Sequence, residues 1–416
     1  MQKKHTLVET LAHSIRALLA VLVGQGASAS PPNLVVIVAD DLGFADVGYH
    51  GSEEILTPNI DSIAAQGVHF LQGYSNGSVC TPTRAALLTG RYQNRLGCDN
   101  TIAPYRRNPQ ATVGLPTDAR TIAERLKPLG YATGMIGKWH LGGELEENRS
   151  LMPPSRGFDE FYGILEGAAL YLDRHNDERK YRRGYLPVEG ERDYYTDAIG
   201  RESVSFIRRH KDGPFLCYVP FTAPHAPLQA KEEHLRKFRH IEPLKRRKLV
   251  AMVHSLDENV GRILDALKSE GLERSTLVAF LSDNGGKPDD NGSLNTPLRG
   301  EKTQFFEGGI RVPFCMKWPG TIPSGQKYAS PVIGMDLFPT LSHAAGGRVD
   351  PDWQIDGVDL LPYLLGKKDG SPHDALYWRS NTDFAVQHDG WKLVRDKNRS
   401  YLFHLAEDPN ETKDLL

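Results

Sequence analysis

The sequence predicts an α/β protein built on one large sheet flanked by helices, followed by a small antiparallel sheet. Three observations predict it. The apolar, β-branched runs at 33–39, 215–220 and 275–281 lack polar alternation, which is the pattern of strands buried on both faces. Segments with helical periodicity lie between them, as in alternating α/β chains. After Gly346 the texture changes to short strand-like segments parted by turn residues. The 416 residues suffice for a large and a smaller domain, and 39% hydrophobic with 25% charged residues is ordinary globular composition. A net charge of -2 gives no ground for nucleic-acid binding, so an anionic substrate would need a local basic pocket.

Residues 1–29 have the form of a signal peptide: Lys3 and Lys4, an apolar run at 17–23, and the small-x-small triplet Ala27-Ser28-Ala29. The run is too short to span a bilayer, so export is expected, with a membrane anchor as the alternative. No integral membrane segment is expected in the mature chain. Cys80, Cys98, Cys217 and Cys315 form neither a metal-binding spacing nor a disulfide frame, and Cys217 reads as core.

The strand at 33–39 runs into Asp40-Asp41-Leu42-Gly43. Adjacent carboxylates at the end of a buried strand repel each other unless a cation or hydrogen-bond donors sit there; the bland alternative is a solvated turn. Residues 57–66 read as a capped helix with Ile60, Ile63 and Ala64 inward, closed by Gly67. In Ser78-Val79-Cys80-Thr81-Pro82-Thr83-Arg84, Pro82 suits a first helical turn and Thr81 is the expected cap. Cys80 then sits just before a helix N-terminus, an end that attracts anions, although a free cysteine is also often a small buried hydrophobe.

Residues 99–118 read as an exposed loop whose Arg106 and Arg107 face water, with a substrate-facing pair as the alternative. A helix at 121–129 precedes a strand at 131–137, which runs into Lys138-Trp139-His140-Leu141-Gly142. Two apart in an extended chain, Lys138 and His140 point to one side as a candidate anion clamp. The stretch 153–192 reads as irregular, with Phe158, Phe161, Tyr162, Tyr171, Arg174 and His175 available to line a cleft. Residues 197–210 form an amphipathic helix with Ile199, Val204 and Ile207 inward.

The strand at 215–220 leads into Phe221-Thr222-Ala223-Pro224-His225-Ala226-Pro227, where prolines on both sides hold His225 in a defined place as a candidate acid or anion ligand. The basic cluster Lys245-Arg246-Arg247-Lys248 reads as an exposed helix start before a helical run at 252–268. The strand at 275–281 ends in Ser282-Asp283-Asn284-Gly285-Gly286, whose glycines permit close backbone approach. Residues 335–345 suggest a last helix, and 375–378, 384–387, 391–394 and 401–405 the small sheet. The expected divisions are 1–29, 30–345 and 346–416.

Four predicted strands thus finish in Asp-Asp, Lys-Trp-His, Pro-His and Asp-Asn, and open α/β sheets bind ligands at the carboxyl ends of their strands. Asp40, Asp41, Asp283 and the Asn284 side-chain oxygen are hard ligands that select Ca²⁺ or Mg²⁺ over zinc, and Ca²⁺ tolerates the irregular set better.

Asp40-Asp41-Leu42-Gly43, Cys80-Thr81-Pro82-Thr83-Arg84, Gly137-Lys138-Trp139-His140-Leu141-Gly142, Pro224-His225-Ala226-Pro227, Asp283-Asn284-Gly285 and Gly300-Glu301-Lys302 occur in the order seen in type I sulfatases. By these motifs the chain resembles that family, and Gly51-Ser52 with Leu96-Gly97 is most similar to its arylsulfatase B or N-acetylgalactosamine-sulfatase branch. The resemblance implies an alkaline-phosphatase-like fold and hydrolysis of a sulfated carbohydrate or aryl sulfate in an exported, periplasmic or lysosome-like setting. It implies that a maturation enzyme oxidises Cys80 to formylglycine, whose hydrated aldehyde attacks sulfate. The metal would be bound by Asp40, Asp41, Asp283, Asn284 and the hydrate oxygen at position 80. Asp283 would take a proton, and Arg84 and His140 would orient the hydrate. Lys138, His225 and Lys302 would hold the sulfate oxygens, and His225 or Lys302 would protonate the departing alkoxide. Thr83 stands where many members have serine, and the family's small sheet is commonly followed by a helix that is either absent from this chain or cut off by truncation of the sequence. The competing readings are a phosphate or phosphonate ester hydrolase and a sulfoglycan-binding protein with an unmodified Cys80.

Overall fold

Strand β1 (Asn33–Ala39) is buried along its whole length, and its side chains alternate between two cores. Val35, Ile37 and Ala39 enter one; Leu34, Val36 and Val38 enter the other. The run shows no polar alternation because both faces of its strand are covered. The computed structural model describes residues 31–102, 114–143, 146–172 and 181–416. The expected signal peptide, Arg106, Arg107, Arg174 and His175 lie outside the described residues.

The other strands are β2 (Val68–Phe70), β3 (Gly73–Tyr74), β4 (Ala132–Lys138), β5 (Glu160–Ile164), β6 (Arg182–Arg183), β7 (Leu186–Pro187), β8 (Phe215–Pro220), β9 (Thr276–Ser282), β10 (Phe314–Lys317), β11 (Gln326–Tyr328) and β12 (Val332–Ile333). Ten of the twelve form one sheet in the order β11-β2-β10-β9-β1-β8-β4-β5-β6-β7, while β3 and β12 pair separately. From β9 to β5 neighbouring strands are parallel, so β1, β4, β8 and β9 point their carboxyl ends the same way. The antiparallel β10 and β6 flank this centre and make the sheet mixed.

In chain order the main helices are α1 (Pro58–Ala65), α2 (Cys80–Thr89), α3 (Ile122–Leu126), α4 (Tyr195–Arg209), α5 (Glu232–Lys237), α6 (Leu244–Ser269) and α7 (Leu337–Ala344). Ile60, Ile63, Ile199, Phe206, Leu249 and Leu256 bring α1, α4 and α6 to one face of the sheet. Leu87, Leu88, Ile122, Leu126, Leu337 and Leu341 bring α2, α3 and α7 to the other. Strands β13 (Ala375–Ser380), β14 (Asp383–His388), β15 (Trp391–Asp396) and β16 (Arg399–His404) form the small antiparallel meander. Its inner residues Leu376, Trp378, Ala385, Val394 and Phe403 join Tyr74, Ala86, Phe306 and Ile333 in a third core. The Trp378 indole N–H donates to Ser75 O at 2.8 Å, which seats the small sheet beside the segment leading to Cys80.

Several expectations are corrected. The stretch from 153 contains β5, a full member of the main sheet. The helix expected over 121–129 is α-helical only to Leu126 and finishes as a 3₁₀ turn at Lys127–Leu129, where Pro128 withdraws a backbone donor. Helix α6 begins eight residues before 252 and takes in the basic cluster. That cluster is not uniformly exposed: Arg246 is buried and bonds Asp46 at 2.6 Å and Glu54 at 2.9 Å. On α4, Val204 is only half-buried, and Phe206 fills the inward position.

Candidate active site

At the carboxyl end of β1 the chain leaves the sheet through Asp40, and Asp41 takes a left-handed backbone with φ 63°. Both side chains are buried. The next strand on one side, β9, delivers Asp283 and Asn284. Asp283 Oδ1 accepts from the Asp41 amide at 3.2 Å, and Asn284 Nδ2 donates to Asp41 Oδ1 at 2.7 Å. Gly285 is needed here because a Cβ would stand 1.9 Å from Gly308 O. On the other side, β8 leads into the loop of His225, whose Nε2 lies 3.5 Å from Asp41 Oδ2. Strand β4, one further, ends at Lys138, whose Nζ donates to Asp40 Oδ2 at 2.7 Å.

Helix α2 starts beneath these strand ends. Cys80 is its first residue, and the thiol lies 3.4 Å from Asp40 Oδ1. The expected Thr81 cap is not formed: the N-cap is Val79, with no side-chain capping bond, and Thr81 Oγ1 instead donates to His140 O at 3.1 Å. One turn on, Arg84 Nε and Nη2 both donate to Asp283 Oδ2, at 3.1 and 2.7 Å, while Nη1 donates to Lys138 O at 3.0 Å. A guanidinium forked between a carboxylate and a strand-end carbonyl fixes α2 against β4 and β9 together.

His140 does not share an extended strand with Lys138, because its φ of 57° turns the chain. The two side chains therefore reach the site along different paths. His140 is buried, with Nε2 3.3 Å from Ile102 O, and its Nδ1 has no hydrogen-bond partner among the described residues. Lys302 arrives from the loop after β9, held by its amide on Gly286 O, and its Nζ donates to Asp41 Oδ2 at 2.8 Å.

Burial raises the pKa of Asp40, but Lys138, His225, Arg84 and Lys302 together outweigh it and hold the carboxyl below its usual range. Asp283 is pushed upward, by burial first and then by the charge of Asp40. Burial, Asp283 and Asp40 push the Cys80 thiol up, so an unmodified thiolate is disfavoured at this position. Burial and the neighbouring Lys138 and Arg84 press His140 down, which keeps its imidazole neutral. Formally, three carboxylates face Arg84, Lys138 and Lys302, so a divalent cation would leave the site positive and ready for an anion.

The donors fit such a cation. Ligand atoms of Asp40, Asp41, Cys80 and His225 all lie within 4.8 Å of one another. This group takes in His225, assigned above to the anion, and leaves Asp283 just outside, bonded to the Asp41 amide. Asn284 Oδ1 is buried with no hydrogen-bond partner among the described residues, as befits an oxygen that a hard cation would complete.

Two roles had no signal in the sequence. The Tyr171 hydroxyl lies 2.6 Å from Thr222 O and 2.9 Å from His225 O, and so ties down the His225 loop. Asn295 brackets Gly286, accepting from its amide at 2.9 Å and donating to its carbonyl at 3.0 Å, which shapes the loop that brings Lys302 in.

A family model described as sulfatase matches residues 32–347, and one for the C-terminal part of N-sulphoglucosamine sulphohydrolase matches residues 300–416. Arylsulfatase J of Mus musculus is 38% identical over 343 residues, which is 80% of this chain and 56% of that protein. N-acetylgalactosamine-6-sulfatase of Rattus norvegicus is 35% identical over 409 residues, 92% of this chain and 75% of that protein. The chain therefore spans between about half and three quarters of these relatives. Among solved structures, Ps i-CgsB in complex with k-i-k-neocarrahexaose has a TM-score of 0.87 at 36% identity, covering 93% of this chain and 89% of that one. The phosphonate monoester hydrolase of Agrobacterium radiobacter, at 19% identity and a TM-score of 0.69 over 92% of this chain and 91% of its own, is similar in fold alone.

Proposed function

We propose, from the premise that the chain belongs to the sulfatase family, that it hydrolyses sulfate esters on a sulfated carbohydrate. The observation that carries this reading is the gathering of Arg84, Lys138, His140, His225, Asp283 and Lys302 around Cys80 and the Asp40–Asp41 pair, where anion-holding cations and carboxylates alternate. Once oxidised by a formylglycine-generating enzyme, the side chain at position 80 supplies the attacking oxygen as a hydrated aldehyde. Asp40, Asp41, Asp283, Asn284 and that side chain would hold a Ca²⁺, which when bound would supply Lewis-acid polarisation of the sulfate.

The protein's own residues do the remaining work. Asp283, its pKa raised by burial and by Asp40, accepts the proton released at position 80. Arg84 holds Asp283 in line, and neutral His140 orients the oxygen through Nδ1, which has no hydrogen-bond partner among the described residues. Lys138 and Lys302 hold the sulfate oxygens and offset charge that grows during transfer. His225 is the most solvent-accessible of the set, at 20% side-chain exposure, and stands where a leaving group can depart. Its Nδ1 donates to Ala226 O at 2.5 Å, which leaves Nε2 to carry the proton for the departing alkoxide. The apolar run at 17–23 supports export of the chain.

The test is turnover of an aryl sulfate, an aryl phosphate and a panel of sulfated mono- and disaccharides by protein matured with a formylglycine-generating enzyme in Ca²⁺. Sulfate turnover is expected, and Cys80→Ala should abolish it while the melting temperature holds. Faster aryl phosphate turnover would assign the site to phosphate or phosphonate esters. An unmodified Cys80 in the mature protein, seen by peptide mass spectrometry, would favour binding without turnover.

A further inference from the structure

Apart from the strand-end group, and sharing no residue with it, α5 and α6 bring together His234, His254 and Glu258. One ligand atom from each lies within 4.8 Å of the other two. His254 and Glu258 stand four apart on α6, so a single helical face carries both. His234 comes from α5, and the two imidazoles meet edge-on with centroids 4.7 Å apart.

Ser255 Oγ lies 3.1 Å from Ala251 O and 2.8 Å from His234 Nδ1. In the neutral tautomer whose Nδ1–H donates to Ser255 Oγ, the hydroxyl donates to Ala251 O and Nε2 is the lone pair that faces Glu258. His254 Nε2 lies 2.9 Å from Lys237 Nζ, an ammonium that only donates, so this nitrogen is also a lone pair. His234 Nε2 is 3.4 Å from Glu258 Oε2, and His254 Nε2 is 3.5 Å from Glu258 Oε1. Lone pairs facing a carboxylate at this spacing repel unless positive charge offsets them; Lys237 and Lys231 supply it here, and a metal ion held by the three side chains would take their place. With metal–ligand bonds of about 2.0–2.1 Å, neighbouring ligand atoms of a tetrahedral zinc ion stand about 3.3–3.4 Å apart. Each imidazole comes close to this distance from one oxygen of Glu258, and one ligand atom from each of the three residues lies within 4.8 Å of the others, so a small adjustment would seat the ion.

We propose that His234, His254 and Glu258 form a zinc site separate from the strand-end centre. Two neutral imidazoles and one carboxylate are a borderline-soft set, unlike the all-oxygen donors that select Ca²⁺. Lys237 is exposed and free to swing aside. Lys231, 3.5 Å from Glu258 Oε2, keeps Asp197 Oδ2 at 3.1 Å when a metal replaces it. Glu233 Oε1, 3.8 Å from His234 Nε2, or a water completes the fourth position. Bound zinc would tie α5, the first helix after the His225 loop, to the long α6.

The experiment is a calorimetric Zn²⁺ titration of protein already saturated with Ca²⁺, with Co²⁺ absorption as a second readout. One zinc equivalent is expected, with tetrahedral Co²⁺ bands and a zinc-dependent rise in melting temperature. His254→Ala and Glu258→Gln should each weaken zinc binding by roughly tenfold or more and lose the bands, with sulfate-ester turnover unchanged. Glu258→Gln replaces a half-exposed side chain isosterically, so it decides the question if His254→Ala folds poorly. Absence of zinc binding in the Ca²⁺-saturated protein, or equal affinity in the parent and Glu258→Gln, would overturn the site.

Discussion

Among single residues, burial separates those that hold the site together from those that work at its mouth. Arg84 is 1% exposed and pairs with Asp283 at 0%. Replacing it with alanine leaves a buried carboxylate without its partner, which costs about 3–5 kcal/mol, so Arg84→Ala should lower the melting temperature sharply as well as abolish turnover. His225 reaches partly into solvent, and truncating it strands no buried charge. His225→Ala should therefore lose most sulfate-ester turnover at a stability cost of roughly 1 kcal/mol or less, measured by denaturant unfolding beside the kinetics. Equal destabilisation by the two substitutions would contradict this division. The sequence made these residues legible as short motifs at strand ends, because each motif contains its own local chemistry. It offered Tyr171 only as one residue available to line a cleft, and could not show that its hydroxyl serves backbone carbonyls 51 and 54 residues away, or that the Asn284 oxygen named as a ligand has no hydrogen-bond partner among the described residues. Nor could it show that Thr81 bonds His140 O instead of capping, since the competing acceptor lies 59 residues off.

Whole strands and helices tell a related story. The long runs of β1, β8 and β9 were readable because a strand covered on both faces needs an unbroken apolar stretch. β5 was not, since it is short and carries Gly163 next to its last residue. That glycine explains how Lys138 and His140 are delivered. Gly163 pairs with Gly137 of β4, and a Cβ at 163 would stand 1.8 Å from Gly137 O. The close contact continues as Trp139 N and His140 N donate to Ile164 O and Leu165 O, at 2.9 and 3.0 Å. Gly163→Ala would force β4 and β5 apart just where the candidate clamp leaves the sheet. A loss of about 3 kcal/mol is expected, with reduced turnover in the folded fraction. Gly213→Ala is the control, because a Cβ there meets nothing within 4 Å. If the two alanine variants melt alike, close strand approach is not what positions the clamp.

Across the whole molecule, the small sheet is fixed to the main body by a third apolar core and by a buried ionic lock. Lys392 of β15, wholly buried, lies 2.8 Å from Glu307 Oε1 and 2.9 Å from Glu411 Oε1. Glu411 Oε2 accepts from the Glu307 amide at 2.7 Å, and Tyr74 donates to Glu307 Oε2 at 3.0 Å. These partners are 85 and 104 residues apart, so no local pattern announces them. Burial raises Glu307, but Lys392 and Arg311 outweigh it and hold its carboxyl low. Glu411 shares the same ammonium; burial, with the charge of Glu307 added, overcomes Lys392 and pushes it up to about 7. A carboxyl raised above its unfolded value of 4.5 contributes stability that is fully present below that value and is lost as pH rises through about 7. The lock is thus firmest in mildly acidic surroundings, and its loss amounts to about 3 kcal/mol at most. Glu411→Gln keeps the protonated shape at every pH, so its melting temperature relative to the parent protein should rise steadily from pH 4.5 to pH 8. A difference between the two proteins that stays constant across that interval would show that Glu411 does not take up a proton on folding, and would leave the Lys392–Glu307 pair and the apolar core to hold the small sheet.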